Sequence, residues 1–210
     1  MTQNKSDSKL CTLYVARHGE TEWNVKGLIQ GHSDSNLTKN GIKQAKNLGK
    51  ELKSIKFDAV YSSDLLRAKR TAEIVTLERK LVVVTQKALR ERDFGELEGK
   101  TRENLKILRE LKIKNVPYES IGIEADEKIV ARAITLLREI AVAYTGKNVL
   151  IVSHGGLLRA LLIHLGFATD KELPPGSVGN TAYIKLKSDG VDFFIEEVKR
   201  VDKKEQENTN

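Results

Sequence analysis

The 210-residue chain has one cysteine, three prolines and one tryptophan. A single thiol, Cys11, excludes an intramolecular disulfide and any CxxC metal site, and it suits a reducing, cytoplasmic compartment. With so little proline, and with no Pro/Gly/Ser-rich stretch, repeat or low-complexity run, nothing marks a linker, so one domain is expected. Long apolar runs are also missing. Leu81 to Val84 and Val149 to Val152 are far too short to span a bilayer. The polar opening MTQNKSDSK has no apolar signal core, so neither a secreted nor a membrane-spanning protein is expected. Aromatic residues make up 5% of the chain, which leaves no stacking platform for single-stranded nucleic acid.

What is present is a core and a surplus of positive charge. Apolar residues make up 40% of the chain, and 36 Lys+Arg face 29 Asp+Glu, a net charge of +7. Lys and Arg alternate with Glu along most of the sequence, and no block of five like charges occurs. The balance suits small anionic partners, phosphorylated molecules among them, and a nucleic-acid partner is not expected.

Hydropathy patterning predicts alternating strands and helices. Strands are expected at 13–16, 57–61, 81–85 and 149–152, with a closing hairpin of 181–186 and 193–198 across Ser188-Asp189-Gly190. Helices are expected from the Thr38 cap to about Ile55, from a Ser62-Ser63-Asp64 cap to about Leu77, over 101–113, from an Asp126 cap to about Tyr144, and over 157–165. This reads as an α/β three-layer sandwich: a mainly parallel mixed sheet, an antiparallel edge strand, helices on both faces and a small helical cap at about 100–125. Residues 1–9 and 201–210 read as disordered tails around one domain over 10–200.

In such sheets ligands bind beyond the carboxyl ends of the strands. Arg17-His18-Gly19, Ser62-Ser63-Asp64 and Ser153-His154-Gly155 all fall there. Two of them place a histidine directly after a buried strand, with a glycine next that lets a ligand approach the backbone. The helix start after Gly155-Gly156 offers free N–H groups to an anion. Arg17 adds a fork of donors, and Arg67, an awkward cation in the first turn of a helix, is expected to face an anion. The set forms a phosphate pocket in which a histidine could attack phosphorus. Glu91, in the irregular stretch 90–95, is the natural proton donor for the leaving oxygen. His32 and His164 read as rim and helix-face residues, Trp23 and Phe94 as packing, and Cys11 as a small buried hydrophobe.

Five ordered motifs then become recognisable: RHGETEWN at 17–24, QGHSDSNLT at 30–38, SSDLLRAKRTA at 62–72, LRERDFGELEG at 89–99 and SHGGLLR at 153–159. Together they resemble the histidine phosphatase superfamily, which contains cofactor-dependent phosphoglycerate mutases and broad-specificity phosphatases. The resemblance implies His18 as the nucleophile, and Arg17, Asn24, Arg67, His154 and the Gly155 N–H as the phosphoryl-binding set. It implies Glu91 as the acid that later serves as base, and neither a metal nor a cofactor. Two departures stand out. Ala125 occupies the place of a usual serine after Glu124, which puts any role for Glu124 and Arg132 in doubt, and Arg70 stands where glutamine is common. The 100–125 segment is short and lacks the Arg-Arg-Ser-Tyr-Asp run of the mutases, which favours a phosphatase over a mutase. A non-catalytic phosphate- or nucleic-acid-binding protein is the other alternative. Lys100, Arg102, Lys106 and Arg109 could line the cap and meet a second anionic group on the substrate. Substrate identity and oligomeric state stay open.

Overall fold

A computed structural model describes residues 9–204, apart from the side chains of Glu78 and Lys112. The elements run in the order β1 (Cys11–Arg17), α1 (Glu22–Val25), α2 (Lys39–Glu51), β2 (Ala59–Ser62), α3 (Leu66–Val75), β3 (Val83–Thr85), α4 (Lys106–Ile113), α5 (Asp126–Ala143), β4 (Asn148–Ser153), α6 (Gly155–His164), β5 (Val178–Ser188) and β6 (Phe193–Val201). The six strands form one sheet in the order β3-β2-β4-β1-β5-β6. β3, β2, β4 and β1 are mutually parallel, while β5 runs antiparallel to β1 and β6 antiparallel to β5. The reversed strand is therefore β5, one in from the edge.

The two central strands read as continuous apolar runs because both of their faces are covered. Their side chains alternate between two cores. Leu13, Val15, Val149 and Ile151 pack beneath α5 and α6, with Ile129, Leu137, Leu157 and Leu161. Tyr14, Ala16, Leu150 and Val152 pack beneath α2 and α3, with Leu48, Leu52, Ala68 and Val75. A small third core over Ile29, Leu97 and Ile123 carries Leu105, Ile107, Leu108 and Tyr118 of the cap segment. The layers thus bring the carboxyl ends of β1, β2 and β4, and the segments that follow them, to one side of the sheet.

Three local expectations are corrected. Asp64 does not cap α3: its carboxylate is drawn away into a two-pronged pair with Arg90 Nε (2.7 Å) and Nη2 (2.6 Å). The free N–H groups of α3 are instead met from a distant loop, where Asp34 accepts from Leu66 N and, at 3.3 Å, from Arg67 N. Asp126 is the first helical residue of α5, and the cap position belongs to Ala125, which offers no side-chain acceptor. The chain also stays ordered past 200. Val201 pairs with Val178, and Asp202 N and Lys204 N donate to Ser177 O and Glu172 O. Residues 1–8 and 205–210, within the expected tails, lie outside the described residues.

Positive charge is also more concentrated in space than along the chain. Residues 39–56 hold six lysines and one glutamate, and Lys39, Lys43, Lys46 and Lys50 lie exposed along the face of α2 opposite buried Ala45 and Leu48. A helix of 3.6 residues per turn gathers what a linear reading sees as interleaved.

Candidate active site

His18 follows β1 directly and is 2% exposed. Its Nδ1 lies 2.7 Å from Gly19 O. A carbonyl only accepts, so Nδ1 carries the proton and the lone pair is left on Nε2. Burial pushes the imidazole well below its usual pKa, and the charges of Arg17 and Arg67 push the same way. A neutral, singly oriented imidazole is the form that can attack an electrophile. The turn beneath it is closed by backbone: any Cβ at Gly19 would collide with Gly41 O. Gly19 N donates to Thr71 Oγ1 of α3 at 3.0 Å.

His154 closes β4 and stands at the cap position of α6. Its ring lies edge-on to His18, with centroids 5.3 Å apart. It is fully buried, and neither ring nitrogen has a partner. Burial, then the charge of Arg67, pushes it well below its usual pKa. Arg17 gives Nη1 to Val178 O at 2.6 Å, and its buried Nε has no partner. Burial outweighs the pull of Glu91 and draws its pKa down to about 10, so it stays cationic at neutral pH. Arg67 is 1% exposed. It donates to Ser33 O (2.7 Å), Asp34 Oδ1 (2.9 Å) and Gly31 O (2.7 Å), again with Nε left over. Its place in the first turn of α3 is explained by Asp34, whose carboxylate meets both the helix start and the guanidinium.

Glu91 sits across the start of α6. Oε2 accepts from Gly156 N (2.9 Å), and Oε1 accepts from Leu157 N (3.1 Å) and Arg92 N (2.9 Å). A Cβ at Gly156 would stand under 3.0 Å from Glu91 Oε1, and one at Gly155 would stand 3.2 Å from Arg17 Nε. The two glycines are what let the carboxylate and the guanidinium lie against the helix start. Asn24 spends Oδ1 on Thr21 N (3.1 Å) and Asn180 Nδ2 (3.2 Å), so its amide Nδ2 is the group left to donate.

The structure thus brings His18, His154, Arg17, Arg67, Glu91, Asn24 and Gly155 together at one end of the sheet. It also adds residues the sequence did not single out. Asn180 bonds His18 O as well as Asn24. It stands in a bulge of β5 where Thr181 adopts φ 55°, a left-handed conformation rare for a β-branched residue. Glu98, seven residues after Glu91, accepts from His32 N, Ser33 N and Ser33 Oγ at 2.7–2.8 Å and holds the 31–34 loop. His32 is not a bare rim residue, because its Nε2 lies 3.0 Å from Glu91 O. Lys100, Arg102, Lys106 and Arg109 are exposed, and the charge of Arg102 reaches Arg17 and His18, pushing both pKa values down. Among the described residues no three His, Cys, Asp or Glu side chains gather as a metal-binding group, and no helix is long and apolar enough to cross a membrane.

Similar proteins carry the same architecture. A phosphatase of Bacillus subtilis (strain 168), PhoE, described as uncharacterized, is 36% identical over 152 residues, covering 72% of this chain and 75% of that protein. A 2,3-bisphosphoglycerate-dependent phosphoglycerate mutase of Methylobacterium sp. (strain 4-46) is 36% identical over 174 residues, covering 77% and 84%. The crystal structure of a phosphoserine phosphatase from Entamoeba histolytica in complex with 3-phosphoglyceric acid superposes with a TM-score of 0.77 at 29% identity, covering 90% of this chain and 96% of that one. Residues 13–200 match the histidine phosphatase superfamily (branch 1), and the chain belongs to that family.

Proposed function

We propose that this protein is a cytoplasmic phosphatase that hydrolyses small phosphomonoesters through a phosphohistidine on His18, with neither metal nor cofactor. One observation carries the reading. Among the described residues, the buried side-chain polar atoms without a partner are Arg17 Nε, Arg67 Nε and both ring nitrogens of His154. Leaving a buried polar group unpaired costs about 1–3 kcal/mol, so the three N–H donors among them, two guanidinium Nε and one imidazole nitrogen, mark a place prepared for an anion with several acceptor oxygens. A phosphoryl group supplies them, and the Gly155 N–H and Asn24 Nδ2 complete the set.

In the first step His18 Nε2 attacks phosphorus and the ester P–O bond breaks. Glu91 gives its proton to the departing oxygen. Holding that proton takes one carboxyl oxygen out of its N–H contacts, and Oε2, with the single donor Gly156 N, is the one most readily released. In the second step water attacks the phosphohistidine and passes a proton to Glu91. The P–N bond breaks and its electron pair returns to Nε2, leaving inorganic phosphate. Arg17, Arg67 and His154 hold the equatorial oxygens through both steps.

The charge of Arg102, felt at both Arg17 and His18, favours a substrate with a second anionic group. The mutase reading, carried by relatives of that name, is disfavoured by the short 100–125 segment, which holds no arginine pair. Phosphorus NMR with 3-phosphoglycerate and a chelator, with and without 2,3-bisphosphoglycerate, separates the two. Free phosphate without 2-phosphoglycerate is the expected result. Rapid, bisphosphate-dependent formation of 2-phosphoglycerate would mean a mutase.

A further inference from the structure

Glu91 belongs to no strand or helix, yet an acid must stand in one place to protonate a leaving group. The segment that carries it is fixed through its carbonyls. Ala88 O and Arg90 O accept from Arg132 Nη1 at 2.7 and 2.8 Å, and Glu91 O accepts from Arg132 Nη2 at 3.0 Å. Leu89 O, the carbonyl between them, accepts from Ser153 Oγ at 2.7 Å. Four consecutive carbonyls are therefore bound, three of them by one guanidinium.

The remaining donors of Arg132 go to Glu124. Nε meets Oε1 at 2.7 Å and Nη2 meets Oε2 at 2.9 Å. All five N–H groups of the side chain are thus used. The other ends of both residues are equally fixed. Arg132 projects from the middle of α5, the longest helix of the fold. Glu124 is tied to the same segment a second time, through Glu124 N to Asp93 O at 2.9 Å and Asp93 N to Glu124 Oε2 at 3.3 Å. Lysine in place of arginine would keep the charge but has neither the fork nor the donors to hold three carbonyls and a carboxylate together.

We propose that Arg132, anchored by Glu124, is the positioning residue for Glu91, setting the place of the proton donor against the phosphate floor without touching the substrate. The proposal rests on Glu91 being that donor. It separates two tasks within one site: Arg17 and Arg67 bind the phosphoryl group, and Arg132 governs the proton transfers of Glu91, to the leaving oxygen and then from the attacking water.

The test compares p-nitrophenyl phosphate, whose leaving group departs without a proton, with glycerol phosphate, whose leaving group needs one. In Arg132→Lys the kcat/KM for glycerol phosphate is expected to fall about 100-fold, the loss typical of a 1 Å misplacement of a catalytic group. The kcat/KM for p-nitrophenyl phosphate, which reads only the steps up to formation of the phosphohistidine, is expected to stay within about threefold, because proton donation contributes little there. Inhibition by vanadate, which reads the phosphate floor, is expected to be unchanged. Glu124→Gln, which leaves the Arg132 side chain intact but loosens its anchor, should show the same selectivity at about tenfold, and it serves if the lysine variant does not fold. Equal losses on both substrates, an unchanged ratio, or weakened vanadate binding would overturn the proposal. Glu91→Gln is measured alongside. If it selects between the substrates and Arg132→Lys does not, the positioning role alone falls. If Glu91→Gln itself shows no selectivity, the acid assignment falls and takes the positioning role with it.

Discussion

Three buried or half-buried arginines meet around this site, and they differ in what they leave unspent. Arg132 uses every donor on protein acceptors. Arg17 and Arg67 each keep a buried Nε with nothing to bind. The saturated guanidinium is a fastener, and under the proposed function the unsaturated ones are receptors. Burial and charge do not separate these roles, because Arg67, the most deeply buried of the three, is also tied to three loop acceptors. The accounting of individual N–H groups does separate them.

The largest expected effect comes from removing the group that receptor pair serves. His18→Ala should lower turnover by about 10⁴-fold or more, as loss of a nucleophile does elsewhere. It should also abolish acid-labile, base-stable labelling of the protein by radioactive substrate. Labelling that persists would move the nucleophile to another residue.

Arg67 and His154 sharpen the contrast, since both are proposed to hold the phosphoryl group but only one is also fastened. Arg67→Met leaves Gly31 O, Ser33 O and Asp34 without their partner. It should cost about 3–5 kcal/mol of stability, the usual penalty for breaking a buried ion pair, on top of a roughly 10²- to 10³-fold loss of kcat. His154 has no protein partner to lose. His154→Leu should lose about as much activity while keeping its melting temperature or raising it, because two unpaired buried polar atoms are removed. A marked destabilisation of His154→Leu would contradict the reading of those atoms as waiting for a ligand.

The same histidines make stability pH-dependent. Both have folded pKa values well below the ordinary 6.5, so the unfolded chain binds protons that the native one refuses. Native stability is fully present above about pH 6.5 and is lost progressively as the pH falls below it. Melting curves from pH 7.5 to 5 should show this decline, and it should be shallower in His154→Leu. A flat profile would mean the rings are not held neutral.

The smallest expected effect lies outside the comparison and serves as its control. Ala125 has the backbone of a helix cap, φ −66° and ψ 155°, without an acceptor side chain. Ala125→Ser should stabilise the protein by about 1 kcal/mol and leave both substrates of the leaving-group test unaffected. A change in their ratio would show that the start of α5, and not Arg132 alone, governs Glu91.

The chemistry at strand ends was legible because it is local. His18, His154 and Gly155 follow apolar runs at once, and the order strand, histidine, glycine is visible without knowing any partner. Residues that act across the chain were not legible. Asp34 lies 32 positions before the N–H it caps, and Arg132, anchored by Glu124, binds carbonyls some forty residues earlier. Nothing in their own neighbourhoods shows this. The missing serine before α5 cast doubt on Glu124 and Arg132, yet their pairing does not depend on a hydroxyl at 125. Asn180 was hidden for a different reason. It lies just before the expected strand 181–186, whereas the observed strand starts at Val178 and bulges around left-handed Thr181, where Asn180 meets His18 O. The cap of α3 was misplaced because Asp64 is a good capping residue by type, and a bidentate arginine competes for it.

That Asp34 caps a helix to which it does not belong has a consequence for how the molecule opens. The carboxylate that secures the first turn of α3 also bridges to Arg67, so the loop cannot lift away while the helix start stays shut. Amide protons at Leu66 and Arg67 should therefore exchange with solvent together with those of His32 and Ser33, which Glu98 holds in the same loop. Occupancy of the phosphate floor should slow all four by a common factor. Exchange at a common rate would mean that loop, helix start and guanidinium open as one cooperative unit.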